Sequence, residues 1–340
     1  MHTAVLRSLG RLTLSALLLA PAQTALSRRA PQDGGDFSQN PQARPLPTDA
    51  IMVKGAWASA SDSVTPLPEG GSVADNVYTN KYFALTYVLP PSWTQKYYGP
   101  PPSDSGYYVL VQIRPGDANK VTGGTILIVA QDLFFTLVPA ANTLEFINHA
   151  EEKLQADYKV ERALTPVVIA NHSFVRFDYF SPVAELHWYL LATQIRCHMV
   201  QFVFTSRDTK LLESLIQDMN QMKLPAEASP ILGIGGGDVP ICIKDYARSE
   251  NIIERVDPVF TERKFNPIPV RIIIDKDGKV KHIHFLSAFP DQAKSITDAL
   301  LQWRFKPYVR EGYPTEFETG IIFGYAPKAA EEPSPSAVSE

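Results

Sequence analysis

The chain has 340 residues, of which 45% are hydrophobic and 20% charged, with a net charge of −4. That length suits about two domains at roughly 100–200 residues each, and the composition is that of a globular protein. With no basic excess, nucleic acid is excluded as an expected partner.

The N-terminus reads MHTAVLRSLGRLTLSALLLAPAQ. Arg7 and Arg11 form a basic leader, Leu12–Ala20 a short apolar core, and Ala20-Pro21-Ala22 a small-residue cleavage site. This pattern predicts a secretory signal peptide over residues 1–22. The uncharged run is far shorter than the ~20 residues a membrane span needs. A periplasmic location is therefore expected, with an uncleaved inner-membrane anchor facing the periplasm as the alternative. Residues 23–75 are rich in Pro, Gly and Ser and read as a flexible linker, because such a composition buries too little apolar surface to offset ordering entropy. Within it, the short IMVKGAW is apolar enough to add a strand to a neighbour.

From about residue 76 the texture changes. YFALTYVLP, GYYVLVQIR, GTILIVAQDLF, SFVRFDYF and HWYLLATQI are aromatic and β-branched runs bounded by Pro, Gly or Asp, and they read as strands. ANTLEFINHAEEKLQADY reads as a helix, with Asn142 as N-cap and Glu145 at capping-box spacing. Its expected apolar stripe is Leu144, Ile147, Leu154 and Tyr158. A second helix, capped near Asp208, presents Leu211, Leu212, Leu215, Ile216, Met219 and Met222 on one broad face. Strands outnumber helices, so residues 76–224 predict an α+β domain built on an antiparallel sheet.

Residues 225–240 form a second linker. Its GIGGG is not a dinucleotide fingerprint, because DVPICI follows instead of a helix start. Residues 241–327 then give a β-β-α-β order: an apolar strand IPVRIII, a hairpin turn at Asp277-Gly278, a second strand, a helix with Ala293, Ile296, Ala299, Leu300 and Trp303 on one side, and a last strand over Thr315–Tyr325. Residues 328–340 read as a disordered tail. Export permits a disulfide between the only two cysteines, Cys197 and Cys242, but neither spacing nor composition requires one.

The last segment carries a joint set of motifs: Asp275, Asp277 and Gly278 in the turn, Val280 after it, then Trp303, Arg304, Phe305 and Pro307 closing the helix, and Gly312 with Pro314 before the last strand. Together these resemble the C-terminal domain of the TonB family. The resemblance implies a non-catalytic domain that grips a partner by adding an extended peptide to a sheet edge. The implied contact strand contains Thr315, Phe317, Thr319, Ile321, Ile322 and Phe323, and the implied partner is the N-terminal peptide of an outer-membrane transporter. A TonB-type energy transducer would carry an uncleaved membrane helix and a long spacer. Here the apolar run is short and a folded domain stands in place of the spacer. The middle domain is faintly similar to the PsbP-type α/β sandwich, through NKYFALTYVLPPSW and its strand–strand–helix ending.

No catalytic constellation is evident. His149, His172, His187 and His198 lack metal-ligand spacing. His282 and His284 alternate on one strand and are expected to face solvent. Ser103, Asp104 and Ser105 lie in a turn without a nucleophile elbow, and the turn is a candidate contact surface between the domains. The expectation is a two-domain α+β protein, a PsbP-like sandwich followed by a TonB-like domain. It is expected to be no enzyme, to hold no cofactor or metal, and to act as a periplasmic binding or adaptor protein for a protein partner. The alternatives are a genuine energy transducer, and a small-ligand carrier or enzyme with its site in residues 76–224.

Overall fold

The computed structural model describes residues 59–61, 65–97, 105–116, 123–136, 142–225, 240–260 and 267–324. The expected signal peptide, most of the linker over 23–75, the glycine-rich stretch 226–239, Ser103 and Asp104, and the tail at 328–340 lie outside the described residues. Among the described residues, no helix is long and apolar enough to cross a membrane.

Strand β1 (Ser59–Ser61) is followed by a three-stranded meander of β2 (Ser72–Ala74), β3 (Val77–Asn80) and β4 (Leu85–Val88). Seven antiparallel strands then make the first large sheet: β5 (Trp93–Tyr97), β6 (Tyr107–Pro115), β7 (Thr125–Asp132), β8 (Lys159–Ile169), β9 (His172–Ser181), β10 (Leu186–Ile195) and β11 (His198–Ser206). Their spatial order is β5-β6-β7-β11-β10-β9-β8. Long aromatic and β-branched runs with tight turns favour such neighbour-to-neighbour pairing.

Helix α1 (Thr143–Glu152) begins as expected: the Asn142 side chain accepts a hydrogen bond from the Glu145 backbone N–H. It packs Phe146 and Ile147 over Phe177, Tyr179, Trp188 and Leu190 on one face of the sheet. Leu144, expected in the stripe, is exposed, while Leu154 and Tyr158 contribute from beyond the helix end. Helix α2 (Thr209–Asp218) starts at Asp208, whose carboxylate accepts from the N–H groups of Lys210 and Leu211. Leu212, Leu215, Ile216, Met219 and Met222 fill the opposite face, together with Tyr78, Phe83 and Tyr87 from the meander. Buried Arg176 ties α2 to the sheet by reaching both Asp178 and Glu213.

The remainder comprises β12 (Ile241–Cys242), β13 (Ile252–Glu254), β14 (Ile268–Ile274), β15 (Val280–Phe285), helix α3 (Pro290–Leu300), β16 (Arg304–Phe305), β17 (Val309–Arg310), β18 (Tyr313–Pro314) and β19 (Phe317–Phe323). The expected three-stranded sheet is in fact five-stranded, in the order β1-β15-β14-β19-β12. One addition, Ser59–Ser61, comes from a segment that reads as linker and covers the β15 edge. The other, Ile241–Cys242, stands at the start of the 241–327 segment, ahead of its expected first strand, and runs parallel along the start of β19.

The turn motif behaves as the sequence suggests. The Asp275 carboxylate accepts from the N–H groups of Asp277 and Lys279, and Gly278 sits at φ +81. A Cβ on Gly278 would stand 2.0 Å from the Phe305 carbonyl oxygen, so only glycine fits there. The segment Trp303-Arg304-Phe305 is not a helix end, however. Helix α3 stops at Leu300, Arg304 and Phe305 pair with β13, and the Phe305 N–H donates to the Gly278 carbonyl. Trp303 is buried beside Phe305 and Phe323, and its Nε1 donates to the Val256 carbonyl at 2.7 Å. Pro307 is exposed beyond this strand, so it does not terminate the helix. Gly312 lies in the turn joining β17 to β18, which ends on Pro314.

Candidate functional site

Strand β14 is buried at every position from Ile268 to Ile274. A strand that is apolar on both sides must be covered on both faces. Ile268, Val270, Ile272 and Ile274 face α3 and its core. The other face turns toward the seven-stranded sheet and carries Arg271, which is 1% exposed.

Two guanidinium groups and two carboxyls meet there. Arg271 Nη1 donates to Asp132 Oδ2 at the end of β7, and its Nη2 approaches Glu318 Oε1 on β19 to 2.5 Å. Arg271 Nη2 also donates to the Tyr82 hydroxyl at 2.7 Å, and that hydroxyl donates to Glu318 Oε1 at 2.7 Å. Arg196, in the β10–β11 turn, donates to Glu318 Oε2 at 2.8 Å and to the Tyr82 carbonyl at 3.2 Å. Its guanidinium lies 3.9 Å from the centre of the Tyr82 ring.

Burial alone would raise the Glu318 carboxyl, but the charges of Arg196 and Arg271 outweigh it and hold the group at about 2. Burial lifts Asp132 above the usual carboxylate range, with Arg271 opposing. Burial, then the charges of Arg271 and Arg196, push His198 well below the usual imidazole value. His198 is therefore neutral, and its Nε2, 3.2 Å from Arg271 Nη1, accepts from the guanidinium. Burial also keeps the Tyr82 hydroxyl protonated. Each guanidinium here is paired with a carboxyl, and the cluster ties the two sheets together.

Cys197 adds a covalent tie. It lies between Arg196 and His198 in the same turn and is joined to Cys242 on β12 by a disulfide, with a Cα–Cα distance of 5.3 Å. The turn before β6 contributes as well: a Cβ on Gly106, at φ +73, would stand 2.4 Å from the Asp132 Cβ and 3.3 Å from Leu286. His282 and His284 do not face solvent. They are 4% and 1% exposed on the junction side of the sheet, and His284 Nε2 lies 2.9 Å from Glu69 Oε1. No group of three or more His, Cys, Asp or Glu suited to a metal ion occurs among the described residues.

The predicted contact strand splits into two kinds of position. Phe317, Thr319 and Phe323 are buried, Ile321 is half-buried against the α3 core, and only Ile322 is well exposed, at 46%. Thr315 precedes the strand, and Tyr325 lies outside the described residues. Glu318 is part of the buried junction. The backbone has its own polarity. The Glu316 and Glu318 carbonyls accept from Ile241 and Ile243, so the even-numbered residues turn their main-chain groups away from β14. By strand alternation, Gly320 and Ile322 do the same. Strand β12 stops opposite Glu318, and among the described residues no strand continues along this edge.

No family model matches the chain, and no curated protein matches it significantly. Among solved structures, cyanobacterial PsbP (CyanoP) from Synechocystis sp. PCC 6803 is similar at 14% identity and a TM-score of 0.32, over 45% of this chain and 98% of that one. LpqN, involved in cell envelope biogenesis of Mycobacterium tuberculosis, is similar at 12% identity and a TM-score of 0.30, over 47% of this chain and 89% of its own. At these scores neither likeness decides what this chain does.

Proposed function

We propose that the chain is an exported, non-enzymatic adaptor of the cell envelope. Its two sheets form one stiff body, and the outer end of the β19 edge receives an extended peptide from a protein partner. The observation that carries the reading is the edge itself: the main-chain groups of Gly320 and Ile322 point away from β14, and the Ile322 side chain beside them is exposed. Such an edge either takes a strand or is guarded by charge, proline or a bulge. At one edge of the seven-stranded sheet, β8 has those guards: Glu161, Arg162 and Pro166 lie within it, and its register shifts twice. The free part of β19 has none of them. The disulfide supports export, because such bonds persist in oxidising compartments. The resemblance of the turn and WRF motifs to the TonB family suggests the partner class, the N-terminal peptides of outer-membrane transporters.

The test is titration of the full chain with such peptides, wild type beside Ile322→Pro. Proline removes an outward N–H and no hydrogen bond to β14, so capture should weaken while thermal unfolding changes little. Equal binding by both proteins would remove this edge from the account.

A further inference from the structure

We infer that the Cys197–Cys242 disulfide is a redox latch that keeps half of the β19 edge closed. This rests on the adaptor reading for its purpose, though not for its mechanics. In the oxidised protein, β12 occupies the edge at Phe317 and Glu318, and among the described residues no strand pairs with the edge beyond them. Strand β12 is a weak occupant by itself. It is two residues long, lies at the rim of the sheet, and donates through Ile241 and Ile243 to the Glu316 and Glu318 carbonyls. Ile241 and Ile243 are half-buried and Cys242 is exposed. A parallel pair this short gains few hydrogen bonds for the chain it orders. The disulfide holds it there, because Cys197 is fully buried in a turn anchored by Arg196 and His198 at the junction.

The two ends of the bond are unequal, which sets the direction of attack. A thiolate of an external dithiol reaches the exposed Cys242 sulfur, the S–S bond breaks, and Cys197 leaves as a thiolate that takes up a proton. The second thiol of the reagent then attacks the mixed disulfide and releases Cys242 as a thiol. Two electrons pass from the dithiol, which becomes a disulfide, to the protein. Arg271, Asp132, Glu318 and Arg196 keep their pairing throughout, so the body stays joined while β12 is free to leave. The edge open to an extended peptide then runs from Glu316 to Ile322.

Backbone amide hydrogen exchange tests the latch without any partner. On treatment with dithiothreitol, the amides of Ile241 and Ile243 should exchange about tenfold faster or more, while those of β14 and β11 hold their protection, the pattern of a local opening. A Cys242→Ser variant should match the reduced wild type. Unchanged protection at Ile241 and Ile243 would overturn the latch, as would loss of protection throughout the chain, which would make the bond a general staple. In a second arm, transporter N-terminal peptides are titrated into both redox forms. Tighter capture by the reduced form is expected, and equal capture would overturn the regulatory role. If β12 opens and neither form captures a peptide, the latch stands and the adaptor reading falls.

Discussion

Truncating Arg271 to Ala would leave Asp132 and Glu318 buried beside each other with their shared cation gone. Breaking a buried pair on one side typically costs about 3–5 kcal/mol, a large part of the stability of a domain. The expected result is a marked fall in thermal stability, with one unfolding transition in the wild type and two in the variant as the sheets part. Glu318 gives the junction a pH dependence of known sign. Its carboxyl is held at about 2, below the ordinary 4.5, so its contribution is complete above 4.5 and is lost as pH falls toward 2. Asp132 runs the other way, because burial raises its carboxyl and protonation favours the native state. Comparison with Glu318→Gln isolates the first effect: the stability gap between the two proteins should narrow as the solution is acidified, and a gap independent of pH would contradict the assignment. IPVRIII read only as an apolar strand, and the pairing of Arg271 within it was not legible. Its partners Asp132 and Glu318 lie 139 and 47 residues away, with no local pattern to link them.

Elements were legible where a period repeats and illegible where a few residues do the pairing. Helix α2 was readable because Leu211, Leu212, Leu215 and Ile216 share one face and Asp208 caps the start, with Met219 and Met222 continuing the apolar stripe past its end at Asp218. The hairpin of β14 and β15 followed from Asp275 to Gly278 in the same way. The end of α3 misled, since Trp303 continues the apolar stripe although the helix has already stopped at Leu300. Strands β1 and β12, two or three residues long in Ser-, Gly- and Pro-rich surroundings, carry no alternation long enough to register. They nevertheless decide which sheet edges remain open. Trp303 remains central to the last core even off the helix. Trp303→Ala would remove its packing on Phe305 and Phe323 together with the hydrogen bond to Val256, at a cost of about 3–5 kcal/mol. Chemical denaturation should show that loss, and an unchanged midpoint would place Trp303 outside the core.

At the scale of the whole molecule, two expected domains meet through a fully buried ionic cluster, a disulfide and Gly106 packed against Leu286. The α+β class and the antiparallel sheets were readable from composition and turn signals. The junction was not, because it is made by single residues from β7, the β10–β11 turn, β14 and β19 that converge only in the folded chain. The sheet face opposite α3 is thus spent on holding the molecule together, which leaves the sheet edges for the proposed recognition of a partner. Amide hydrogen exchange on the full chain, with and without a transporter N-terminal peptide, reads those edges directly. New protection is expected at Gly320 and Ile322, with β8 unchanged. Protection along β8 instead, or none anywhere in a folded protein, would contradict an adaptor that works through the last strand.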